Sequence, residues 1–155
     1  MGEALQKILK MKKKPPLREE LELNIGVAAS VMRERFEKAI EPFGITVSQY
    51  NVLRILKGVY PNGHPRCEIM LRMIDRAPDI TRLVDRLEKM GLVKRERDGE
   101  DRRMSISVIT AKGLKLIEQI QPLIDNTHKS TTKDLSDKEC GELSRLIEKL
   151  YAHLI

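Results

Sequence analysis

Residues 79–113, DITRLVDRLEKMGLVKRERDGEDRRMSISVITAKG, hold two hydrophobic periods in succession. Ile80, Leu83, Val84 and Leu87 recur at i, i+3, i+4 and i+7, which predicts a helix over 79–93 with one buried face. Pro78 suits a first helical turn, where no backbone N–H is needed, and Gly91 suits the left-handed residue that ends a helix. Past Gly91 the period falls to two. Val93, Arg95 and Arg97 then point one way on a first strand, and Ser105, Ser107 and Ile109 do so on a second. DGED between them is a turn signal, so an antiparallel hairpin is expected.

The polar residues of this stretch carry the functional question. The outer side of the helix shows Asp79, Arg82, Arg86 and Lys89, with Thr81 at its margin and Arg76 and Pro78 at its entrance. Arginine can pair twice with guanine in the major groove, and threonine can meet a thymine methyl or a phosphate. A solvated amphipathic helix has such a face too. On the hairpin, Lys94, Arg95 and Arg97 lie on the incoming strand, and Arg102 and Arg103 follow the turn. Inserted arginine is drawn to a narrow minor groove. Asp98, Glu100 and Asp101 would repel phosphate there, but an aspartate beside an arginine can hold its guanidinium by a paired salt bridge, so that it enters pre-aimed. The plainer reading is a charged edge hairpin protected from aggregation. The hairpin's place directly after the helix favours the DNA-reading alternative.

Outward from this stretch, the elements read as helices. TVSQYNVLRIL is a helix opened by a Thr46–Gln49 capping box, with Val47, Tyr50, Val52, Leu53, Ile55 and Leu56 as its apolar positions. YPNGHP (60–65) is a turn cluster. RCEIMLRMI (66–74) is a short helix expected to turn Ile69, Met70, Met73 and Ile74 inward, and DRAP is a tight connection. Before these lies a helix of roughly 25 residues, long for a globular protein, with Leu17, Leu21, Ile25, Ala28, Ala29, Met32, Phe36, Ala39 and Ile40 on one broad face. Pro42 and Gly44 end it. After the hairpin, Thr110 can cap a long helix, and Ser136 with Glu139 opens the last one. The fold class is therefore mainly α with a small β-hairpin wing: a winged helix-turn-helix over 45–110, with long dimerisation helices at 17–44 and 111–155. Residues 1–16 form a basic segment, read as a frayed helix that docks late or stays flexible.

Composition narrows the partners. Of the 155 residues, five are aromatic and none is Trp, so the core must be Leu, Ile, Val and Met, which suits packed helices. Residues 1–16 hold five lysines against one acid, +4 of the net +6, leaving +2 for residues 17–155. The overall charge is thus weak evidence for a polyanionic partner, and placement of the arginines has to carry that argument. Cys67 and Cys140 fit no metal-ligand spacing, and His64, His128 and His153 are scattered. No nucleophile–base pair or phosphate loop stands out, so no enzyme, cofactor or metal is expected. The chain shows no apolar run near a membrane span and no signal-peptide core, so a cytoplasmic protein with reduced thiols is expected.

The segment 81–113 closely resembles the MarR family of bacterial transcription regulators, in its TRLVDRLEKMGLV helix, its DGEDRR wing tip and its SVITAKG exit. ITVSQYNVLRIL (45–56) is similar to the family's second helix, and the likeness covers about residues 20–155. It implies a homodimer on a pseudo-palindromic duplex operator, usually a repressor, with recognition helices in successive major grooves and wings in flanking minor grooves. It implies Arg103 at the wing tip, oriented by Asp101, and Arg76, Pro78, Asp79, Thr81 and Arg82 at the start of the recognition helix. MIDRAPD departs from the Gly-Leu-Ser-type turn that many members carry at that place. The resemblance also implies release from DNA by a small phenolic or aromatic effector bound between the dimer region and the winged domain. Two alternatives stand beside this reading. One is a winged-helix protein–protein module without DNA binding, against which the arginines on both reading elements argue. The other is a thiol-based redox regulator, carried by Cys67 beside Arg66 at the start of a short helix.

Overall fold

A computed structural model describes residues 2–10, 13–74, 79–97 and 105–155. The elements run α1 (Glu3–Leu9), α2 (Leu17–Ile40), a 3-10 turn (Glu41–Phe43), α3 (Val47–Lys57), β1 (His64–Pro65), α4 (Arg66–Arg72), α5 (Ile80–Lys89), β2 (Val93–Arg97), β3 (Ser105–Ile109), α6 (Ala111–Thr131) and α7 (Asp137–Tyr151). This is the mainly helical, winged architecture that the two periods predict. The DRAP connection and the hairpin turn lie outside the described residues.

The capping signals behave as their chemistry requires. Thr46 Oγ1 accepts from Gln49 N at 3.3 Å while Gln49 Oε1 accepts from Thr46 N at 2.9 Å, closing the box that starts α3. Ser136 and Glu139 do the same for α7, and these hydrogen bonds hold the Glu139 carboxyl below its ordinary pKa. Gly91, at φ +71°, takes the left-handed conformation that stops α5.

β2 and β3 pair antiparallel, with Val93 opposite Ile109, Arg95 opposite Ser107 and Arg97 opposite Ser105. Val93 and Ile109, and Arg95 and Ser107, therefore share a face, as expected. The sheet also has a third member: β1 pairs with β3, where the sequence showed only a turn cluster. Gly63 leads into it, and a Cβ there would lie 2.4 Å from the Ser107 carbonyl oxygen, so the strand can approach only without a side chain.

One aliphatic core joins the parts. Ile40 from α2, Leu53 and Leu56 from α3, Ile69 from α4, Val84 and Leu87 from α5, Ile109 from β3 and Ile117, Ile120 and Ile124 from α6 are all buried within it. Phe36 meets Tyr50 edge-on at 5.4 Å, which ties α2 to α3 of the winged part, and Arg35 Nη1 donates to the Ser130 carbonyl, which ties α2 to the end of α6. α4 corrects the expected inward face. It stops at Arg72, Met73 turns extended, and Ile69 and Met73 are buried while Met70 and Ile74 are exposed. The expected broad face of α2 is also largely uncovered in the single chain, with Leu17, Leu21 and Met32 exposed. α7 has no buried residue at all. α1 packs on α2 and buries Leu5, so part of the basic N-terminal segment is docked.

Candidate nucleic-acid interface

α5 is held on three sides, and its outer face is what remains. Val84 and Leu87 are buried, and Ile80 and Leu83 pack against the core. At its N-terminus Asp79 Oδ1 accepts from Arg82 N at 3.0 Å, capping the helix. Asp79 Oδ2 lies 2.9 Å from Arg82 Nε. One carboxylate thus caps the helix and holds the arginine that follows, while the Arg82 side chain stays 89% exposed. At the C-terminus Lys112 Nζ donates to Met90 O and Thr110 Oγ1 donates to Gly91 O, both at 2.7 Å. A cation there also complements the helix dipole.

With the apolar side seated, Thr81, Arg82, Arg86 and Lys89 are exposed together. Arg82 and Arg86 line a cleft with Asp79, Thr46, Ser48 and Gln49, so the outer face of α5 stands beside the start of α3. Ser48 was not singled out from the sequence, because nothing local says that the start of α3 faces α5.

On the wing, Lys94 is exposed and pairs with Glu96 at 2.5 Å. Arg95 differs. Its Nη2 pairs with Asp85, and its Nε lies 3.2 Å from Glu88 Oε2, both on α5. The sequence reading passed over Asp85 and Glu88. Their i, i+3 spacing on the flank of α5, followed by a strand arginine, was the signal that could have found them. Arg76, Pro78, Asp101, Arg102 and Arg103 lie outside the described residues. Among the described residues no group of His, Cys, Asp or Glu could hold a metal ion, and no helix is long and apolar enough to cross a membrane. Cys67 is exposed and Cys140 half-buried.

A second cleft, of about 380 Å³, opens where the helical and winged parts meet. Phe43, Met90, Leu92 and Leu116 give it apolar walls, and Lys112, Lys115 and Gln119 line it with polar ends.

A helix seated by its apolar side beside another helix, followed by a β-wing, defines the winged helix-turn-helix class. The sequence model of the MarR family matches residues 45–105. YwoH of Bacillus subtilis, an uncharacterized HTH-type transcriptional regulator, is 31% identical over 122 residues, 79% of this chain and 87% of YwoH. The chain belongs to the MarR family of transcriptional regulators. Two solved structures share its fold at lower identity. The Staphylococcus aureus MepR–DNA complex has a TM-score of 0.76 at 22% identity, covering 86% of this chain and 96% of that one. CouR from Rhodococcus jostii RHA1, bound to p-coumaroyl-CoA, has a TM-score of 0.76 at 23% identity, covering 88% and 95%.

Proposed function

We propose that this regulator is a homodimeric repressor that binds a pseudo-palindromic duplex operator and leaves it when a small molecule binds. The observation that carries the reading is the outer face of α5, where Thr81, Arg82 and Arg86 are exposed on a helix fixed at both ends. Holding Arg82 by Nε leaves its terminal amino groups for the paired contact with guanine that reads sequence. The major groove admits a helix presented in this way. Arg76, Pro78 and Asp79 belong to the entrance of this reading element. Lys94, Arg102 and Arg103 belong to its wing, where Asp101 would aim Arg103 into the minor groove.

MepR, a protein of the same fold, was solved with DNA, and CouR was solved with an aromatic acyl-CoA. The cleft between Phe43, Leu92 and Leu116 supports effector control here. Its walls include Met90, and its lysines include Lys112, which donates to the Met90 carbonyl and so helps to join α5 to α6. A ligand seated there would press on the mounting of α5. Apolar walls with Lys112, Lys115 and Gln119 suit an apolar molecule carrying an acid group.

Selection of bound sites from a random duplex pool tests the reading. The wild-type chain should recover an inverted repeat with half-sites about one helical turn apart, roughly 34–36 Å. Arg82→Ala should change the recovered bases, and Arg103→Ala should lower affinity strongly while the dimer persists. A screen of aromatic carboxylates should find compounds that dissolve the complex. Recovery of no common sequence by the wild-type chain would overturn the proposal.

A further inference from the structure

We propose that Arg95 is a positioning residue that locks the wing to the recognition helix, and not a DNA contact. The proposal rests on the DNA-binding reading above. Arg95 lies in β2, four residues past Gly91, where the chain turns out of α5 in a left-handed conformation. That turn is the covalent joint between the two reading elements. Asp85 and Glu88 sit one turn apart on the side of α5 that faces β2. The guanidinium spans them with separate nitrogens, Nη2 to Asp85 and Nε to Glu88. A planar fork can bridge two carboxylates in this fixed way, whereas an ammonium is a single point of charge. Arg95 is also less exposed than Arg82, at 34% of its side chain against 89%. Its neighbour across the sheet, Ser107, is buried.

The charge count supports the same role. Two carboxylates and one guanidinium leave that flank of α5 net negative even when paired. An unmatched acidic pair beside the reading face would repel phosphate. Arg95 offsets much of that charge and holds the strand that carries the wing. A helix in the major groove and a wing in the minor groove need a set angle between them, and this bridge closes the joint that sets it.

The two roles predict opposite signs. If Arg95 touched phosphate, Asp85→Asn with Glu88→Gln would free it and remove two negative charges, so binding would tighten. If Arg95 is the lock, the same isosteric pair should weaken binding to the selected site about fivefold to tenfold. Binding to an unrelated duplex of equal length should then hold or rise slightly. Arg95→Lys should also weaken specific binding, because it keeps the charge and loses the fork. Arg95→Met added to the acid pair should weaken it no further, and the salt dependence should keep its slope. Helical content and dimer mass, measured on each variant, show that the chain is folded. Tighter binding by the acid-pair variant, full activity of Arg95→Lys, or a slope reduced by about one phosphate in Arg95→Met would overturn the proposal. Failure of the wild-type chain to select any site would overturn the DNA-binding reading, and this one with it.

Discussion

At the scale of single residues, Asp79 does two things that substitution can separate. Its Oδ1 caps α5 and its Oδ2 holds Arg82. Asparagine caps a helix about as well as aspartate, but it brings no charge to an arginine. Asp79→Ala should therefore cost about 1 kcal/mol. At fixed protein concentration this should appear as a midpoint of thermal unfolding lowered by about 2–4 °C. Asp79→Asn should unfold within about 1 °C of the wild type on that same scale, yet shift the bases recovered by site selection. Equal destabilisation by both variants would show that the stabilising contact is the ion pair and not the cap. An aspartate at the head of an arginine-bearing helix can cap it, orient an arginine or accept from cytosine, and the sequence leaves all three open. It could not choose, because the choice depends on backbone angles and a rotamer. Arg95 was harder still. Its partners lie on the preceding helix, across a turn whose geometry brings them together, so local pattern made it one more basic residue on a wing.

At the scale of elements, legibility followed length. α3, α5 and α7 repeat their apolar positions over several turns and open on capping residues, and all three formed, although α5 starts only after its Asp79 cap and ends at Lys89, short of the expected span of 79–93, because Gly91 turns the chain into β2. β1 has two residues and no period, and its clue, Gly63, has meaning only once β3 is beside it. α4 stops after seven residues, so a helical period carried past Arg72 assigned Ile74 to the wrong side. The end of α5 gives a direct test of the turn chemistry. Gly91 has φ +71°, and a Cβ there would meet only the far end of Lys112 at 3.9 Å. Space is thus not the difficulty, and left-handed strain is the whole penalty. Gly91→Ala should lose roughly 1–2 kcal/mol, read from urea unfolding. Gly91→Asn should recover part of it, because asparagine tolerates that conformation better. A loss by Gly91→Asn as large as that of Gly91→Ala would point to a packing role that the geometry does not show.

For the whole molecule, the unsatisfied surface is more telling than the core. Leu143, Leu146, Ile147, Leu150 and Tyr151 form one stripe along α7, all exposed in the single chain, and Leu17, Leu21 and Met32 stand exposed on α2. An amphipathic helix with nothing against its apolar side needs a partner surface. The homodimer proposed above would supply one, and it would also place two α5 helices on one duplex with the two-fold symmetry of an inverted repeat. The charge distribution makes this pairing matter. Residues 17–155 carry only +2, so under the proposed reading affinity would have to come from two placed sets of arginines acting together. Leu146→Glu puts a carboxylate in the middle of the stripe. It should leave the single chain folded, because Leu146 is 48% exposed there. In the pair, an unpartnered buried charge is expensive, so the dimer should dissociate. Sedimentation should show the mass halved. Binding to the full operator should fall by about two orders of magnitude or more, the scale of lost bivalency. Binding to an isolated half-site should remain near the wild-type value for one chain. A variant that keeps the dimer mass would place the interface elsewhere, and one that sediments as a monomer yet binds the full operator undiminished would show that each chain reads DNA alone.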